Sequence, residues 1–96
     1  MDLHSDELST LLSPHTVLVE DRHRIRITGV MDVESFQEDE AAISVQNGLL
    51  YLVGEGMKLT RLDPDSHTAL IDGTLISLEY ASERERRRGL FSRLRG

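Results

Sequence analysis

The sequence contains no cysteine and no tryptophan, only two prolines, and four aromatic residues in all. Without cysteine there is no disulfide framework, and no metal-ligand cluster takes its place, so both staples common in very small domains are excluded. No apolar run approaches the roughly 20 residues that a helix needs to cross a bilayer. The N-terminal MDLHSDELSTLL carries acids where a secretory signal has basic residues, and it lacks a long apolar stretch. The expected location is therefore cytoplasmic. Scarce aromatics leave the interior to aliphatic side chains, with Phe36 the one phenylalanine before the C-terminal tail.

What the sequence does have is charge, unevenly divided. Residues 1–80 hold 15 acids against 5 Lys and Arg, a net −10, whereas residues 81–96 hold 2 acids against 6 Arg, a net +4. The acidic body should repel nucleic acid and anionic lipid, and the basic tail should attract anionic surfaces. No nucleic-acid partner is expected for the chain. A length of 96 residues allows one domain. Its divisions are an N-terminal arm over 1–14, a folded body over 15–80 and the tail over 81–96. A body of that size buries only about 60% of the surface its unfolded chain exposes. Self-association is the remaining common source of burial, so a homo-oligomer is expected.

Residues Ser5–Leu12 have helical spacing, with Ser5 as N-cap and Leu8, Leu11 and Leu12 on one face, and Pro14 stops the pattern. After Pro14 the period becomes two. Val17 and Val19 alternate, and Arg24–Thr28 places Ile25 and Ile27 inward with the arginines in water. Glu20-Asp21-Arg22 turns the chain between these runs. Val30, Val33 and Phe36 stand three apart, which reads as a bent strand or a packed loop. Asn47-Gly48 supplies the two residues of positive φ that a type I′ hairpin turn needs. The strand after it, Leu49–Val53, is apolar on both faces. Such a strand is central between layers or faces a partner subunit, and Leu49, Tyr51 and Val53 are the expected self-association residues. Gly54-Glu55-Gly56 and Asp63-Pro64-Asp65-Ser66 read as further turns, and Gly73 breaks the last apolar stretch as a tight turn or bulge. In the final run Ile76, Leu78 and Tyr80 share a face. The predicted fold is all-β, a small sandwich or roll of six to eight short, mostly antiparallel strands with a short N-terminal helical segment and a basic tail.

Several strings in this body are irregular enough to be distinctive: Glu20-Asp21-Arg22, Ile27-Thr28-Gly29-Val30 with Asp32-Val33-Glu34-Ser35-Phe36, and Gly48-x-Leu50-x-Leu52-x-Gly54-x-Gly56-x-x-Leu59. With the closing Gly73-x-x-Ile76-Ser77-Leu78-x-Tyr80 and the ending Gly89-Leu90-Phe91-Ser92-Arg93-Leu94, the chain resembles the YabP/YqfC family of bacterial sporulation proteins, the YabP branch in particular. Gly56 departs from the pattern, standing where members more often carry a strand residue. The resemblance implies a role in endospore formation in the mother-cell compartment. It supplies no catalytic residues and no cofactor.

The residues themselves point away from catalysis. Asp63-x-Asp65-x-His67 is the best metal candidate, but Asp-Pro-Asp-Ser is first of all a turn whose aspartates cap backbone amides. His15 and His23 are placed to face each other across the first hairpin, as a pH-sensitive pair or as cross-strand packing. Gly54-x-Gly56 lacks the third glycine and the following helix of a dinucleotide fingerprint. No nucleophile, base and oxyanion donors assemble, so no enzyme is expected.

The tail is different. Leu90, Phe91 and Leu94 fall on one helical face, with Arg86, Arg87, Arg88 and Arg93 nearby. Each arginine adds on the order of 1 kcal/mol at an anionic surface. The expected role is that of a non-enzymatic structural or assembly factor that self-associates and docks by its tail to a membrane surface or a sporulation membrane protein. The alternatives are a peptide-binding module that works by strand addition, or a metal- or pH-responsive regulator.

Overall fold

A computed structural model describes residues 14–81. The expected helical segment at Ser5–Leu12 and the tail residues lie outside them. The described chain forms six strands: β1 (Thr16–Glu20), β2 (Arg24–Thr28), β3 (Val30–Phe36), β4 (Glu40–Val45), β5 (Gly48–Asp63) and β6 (Thr68–Ala81). They make one antiparallel sheet in the order β1-β2-β6-β5-β4-β3. The fold is all-β, as the alternation of its sequence predicts.

Two strands are longer than the sequence signals suggest. β5 has 16 residues and β6 has 14, and they pair along their whole length. The glycines at 54, 56 and 73 do not end strands as turns would. They mark a shared bend, where the register shifts between Val53/Gly54 and Glu55/Lys58. The physical reason is close approach. A Cβ on Gly73, whose φ is +138°, would lie 2.7 Å from Met57 Cα, and a Cβ on Gly54 would lie 2.5 Å from the Thr74 carbonyl oxygen. Only backbone without side chains lets the two strands fold over together here.

The bend divides the sheet. On one side β4 pairs with the first part of β5 and carries β3 on its other edge, and on the other β2 pairs with the first part of β6 and carries β1. Between them the flanking strands have ended, and the exposed peptide groups of β5 and β6 are met by hairpin turns. Gly54 and Met57 donate to the carbonyls of Asp39 and Glu38, at 3.0 and 2.9 Å. Gly73 and Leu75 donate to those of His23 and Arg22, at 3.1 and 2.8 Å. Each turn thus satisfies amides that the sheet itself leaves unpaired.

One core cluster draws side chains from both halves: Ile25, Ile27 and Ile71 from one, and Ile43, Leu50 and Leu52 from the other, all fully buried. No polar or charged residue is buried among the described residues.

The spacing of Val30, Val33 and Phe36 has a direct cause. β3 carries an extra residue, Met31, between Val30 and Asp32, and a second, Glu34, between Val33 and Ser35. Each step of three is therefore an ordinary step of two plus one bulged residue. The three side chains fall opposite Val45, Ile43 and Ala41, which are spaced by two, and all three join the core cluster.

Two turn assignments change. The β4–β5 loop is Gln46-Asn47, with Val45 opposite Gly48, and none of residues 46–48 has positive φ, so no type I′ turn forms at Asn47-Gly48. The left-handed pair sits instead at Asp21 (φ 57°) and Arg22 (φ 60°), closed by the His23 amide donating to the Glu20 carbonyl at 2.9 Å. A further bulge leaves Ile76 between Leu75 and Ser77, so Ile76 turns outward while Leu75 is buried. The expected common face of Ile76, Leu78 and Tyr80 is broken at its first member.

Candidate interaction surface

The histidines serve the backbone. His15 lies opposite Gly29 by extension of the β1–β2 register, and His23 lies in the turn at the other end, so they do not face each other. The His15 Nδ1–H donates to the Thr28 carbonyl at 2.9 Å, which leaves Nε2 to accept from the Tyr80 hydroxyl at 2.6 Å. The rings meet edge to face with centroids 5.5 Å apart. His67 donates from Nδ1 to the Val30 carbonyl at 3.1 Å, while the Val30 amide donates to the His67 carbonyl at 3.0 Å. That reciprocal pair ties the far turn of the β5–β6 hairpin to the start of β3.

Asp63, Asp65 and His67 do not converge on a common point. Asp63 Oδ1 accepts the amides of Asp65 and Ser66, at 3.0 and 3.4 Å, and so caps its own turn. These bonds, the Ser66 side chain first and then the Asp65 amide, hold the Asp63 carboxyl below its ordinary pKa. His67 is engaged with Val30. Among the described residues no three His, Cys, Asp or Glu side chains are grouped as metal ligands. The depression beside this turn, lined in part by Val30, Met31, Leu62 and Pro64, holds about 170 Å³. That is below the usual range of small-molecule pockets, about 300–1,000 Å³, whereas a second depression against the same turn, lined in part by Arg26, Arg61, Asp63 and Ser66, holds about 370 Å³.

Leu49 and Tyr51, expected to face a second copy, are 3% and 1% exposed in the single chain, and Val53 is half-buried. With Ala42 and Ala81 the first two form a second buried cluster on the sheet face opposite the main core. Burial on both faces in the single chain accounts for their two-sided apolar pattern.

The outer face of the other half carries four of the five cations of residues 1–80: Arg24, Arg26, Lys58 and Arg61. The register interleaves them with other side chains. Glu20, Arg24, Asp72 and Lys58 form one cross-strand row, and Leu18, Arg26, Leu70 and Arg61 the next. Arg24 and Asp72 approach to 3.6 Å. The first row alternates charge of both signs, whereas the second sets its two arginines on either side of Leu70.

Among the described residues the sheet is not closed. β1 and β3 are its edges, and the exposed large apolar side chains include Leu18 and Val19 on β1 and Met31 on β3. Leu18 belongs to no functional motif of the sequence. The signal was there in a strand, Thr-Val-Leu-Val-Glu, that is apolar at three successive positions yet lies next to a wet edge.

The arrangement is that of a small antiparallel β protein with two exposed sheet edges among the described residues. The chain belongs to the YabP family, whose model matches residues 12–87. It is 30% identical over 88 residues to the spore protein YabP of Bacillus subtilis (strain 168), an alignment that covers 90% of this chain and 88% of that protein. Its role is accordingly sporulation-related. Among the described residues no helix is long and apolar enough to cross a membrane. Arg86, Arg87, Arg88, Leu90, Phe91, Arg93 and Leu94, the expected docking residues, lie outside the described residues.

Proposed function

We propose that the protein is a non-enzymatic assembly factor of spore formation, acting by self-association of its β body and by docking of its C-terminal tail to an anionic membrane surface or a sporulation membrane protein. The observation that carries this reading is the open sheet, which ends in two edge strands bearing exposed apolar side chains. An edge of unpaired backbone groups is a template for another strand. The tail supports the second part by its charge, +4 beside a body of −10. Membership of a family whose Bacillus subtilis relative is called a spore protein supports the setting in spore formation, and the mother-cell side is part of the proposal.

Two measurements on the purified protein test it. Sedimentation at tens of micromolar should show an assembly larger than one 10.9 kDa chain. Flotation with phosphatidylglycerol vesicles should recover the full chain, but not one ending at Ala81, and recovery should fall as salt screens the arginines over about 8–10 Å. Truncation belongs after Ala81, because that residue is buried and pairs with Leu49. A monomer that ignores vesicles at low salt overturns the proposal. A foreign-peptide module would remain monomeric and bind by strand addition.

A further inference from the structure

The two edges of the sheet are unlike. β3 is interrupted by two bulges and presents Asp32 and Glu34, the devices by which natural sheets discourage edge-to-edge pairing. β1 has neither. Its register with β2 is unbroken from Thr16 to Glu20, and its one charge is at the last position. Leu18 is 51% and Val19 38% exposed.

The direction of its free backbone groups follows from two contacts. The Thr16 amide donates to the Thr28 Oγ1 at 2.9 Å, and the Glu20 carbonyl accepts from His23 at 2.9 Å, so both residues address β2 and its turn. Hydrogen bonding alternates along an antiparallel strand. Leu18 therefore also addresses β2, while the N–H and C=O groups of Val17 and Val19 point away from the sheet.

From this we infer that β1 is the self-association site, pairing antiparallel with β1 of a second copy about a two-fold axis at Leu18. The inference rests on the self-association proposed above and names its partner and register. In this register Leu18 faces Leu18 of the second copy as a non-hydrogen-bonded pair. Val17 faces the second copy's Val19 and exchanges both backbone bonds with it, and the symmetric pair does the same, for four bonds in all. The apolar residues meet apolar residues, and Glu20 falls opposite Thr16, so no like charges are opposed. That self-complementarity singles out a second copy as the occupant. β3 in the same operation would bring its own acids together. The product is a continuous sheet of twelve strands, in which Val17 and Val19 extend each core toward the other.

Three variants of the full chain test this. Val19→Pro removes an N–H that has no role within the sheet of one chain and is tolerated on an edge strand. It should reduce the sedimenting mass from twice 10.9 kDa to 10.9 kDa, with the thermal unfolding transition retained. Leu18→Cys places two thiols at a non-hydrogen-bonded site, where Cα atoms stand about 4.5 Å apart, within disulfide range. As the chain has no other cysteine, mild oxidation should give a single covalent dimer. Met31→Cys, on the other edge, should stay uncoupled. If the native protein is a dimer but Val19→Pro leaves it intact and Leu18→Cys does not couple, the edge assignment is overturned and self-association stands. If the native protein is a monomer and Leu18→Cys does not couple, both are overturned.

Discussion

The β5–β6 hairpin is one continuous ladder, yet its two ends are in different environments. Where β5 runs beside β4, residues Leu49–Leu52 are buried on both faces. Beyond the bend Met57 and Leu59 turn inward and Lys58 outward, and past the register shift at Thr60 the strand is exposed from Thr60 to Leu62, with Lys58 and Arg61 charging its outer face. The same backbone pairing thus gives a two-sided interior at one end and a one-sided interior at the other. Strand pairing leaves burial open, and what lies over each face sets the side chains.

The comparison depends first on the bend that separates the two ends. Gly73→Val would push a side chain into the Met57 backbone at a φ that favours glycine, and should cost about 3–5 kcal/mol of unfolding free energy or prevent folding. Gly48→Ala meets only the Ala81 carbonyl oxygen, at 3.6 Å, and should be near neutral. Chemical denaturation of the two variants measures the contrast.

Next in size is the difference between the outer faces. Tyr51→Ala, at the two-sided end, should cost about 3–5 kcal/mol, as for other buried aromatics. Arg26→Ala and Arg61→Ala, on the outer face of the other end, should stay within about 0.5 kcal/mol. Equal effects at the two ends would mean that the faces are not distinct.

A smaller effect belongs to the turn that holds the bend. Arg22 binds Leu75 twice, through its carbonyl and through Nε, which donates to the Leu75 carbonyl at 3.0 Å. Arg22→Ala removes the second bond and should lower stability by about 1 kcal/mol. Arg22→Gly should recover part of that loss, because φ there is 60°.

The smallest effect is at Asp63. Its carboxyl titrates below the usual 3.8 because the folded turn hydrogen-bonds the anion. The stabilisation is therefore present above the unfolded pKa and is lost as pH falls through the folded one. Asp63→Asn keeps an acceptor for the turn amides and should flatten that part of the acid limb of a Tm against pH curve, with little change near neutrality.

Alternation made much of the fold legible. Arg24–Thr28 is buried at Ile25 and Ile27 and exposed at its arginines, as its sequence reads. The three-residue steps to Val33 and Phe36 announced a bent strand, but locating the extra residues required the partner β4, which a single strand does not reveal. Glycine misled at positions 54 and 56 because a reversal and a bend ask the same freedom of the backbone, whereas at Gly73 the bulge, one of its two readings, is what forms. Asn47-Gly48 has turn chemistry but the loop falls one residue earlier, since register across β4 and β5 outweighs local preference. The edges were least legible: which strands lie outermost is a property of the sheet order, and no single strand carries it.

The contact between His15 and Tyr80 has a consequence for the connectivity of the chain. Side chains at the beginning and near the end of the described body touch at 2.6 Å, so the two ends of that body lie at one corner. The same proximity makes the body a natural subject for circular permutation: a short linker from residue 81 to residue 15 would join its ends, and new termini could open in an exposed hairpin loop with the sheet order unchanged.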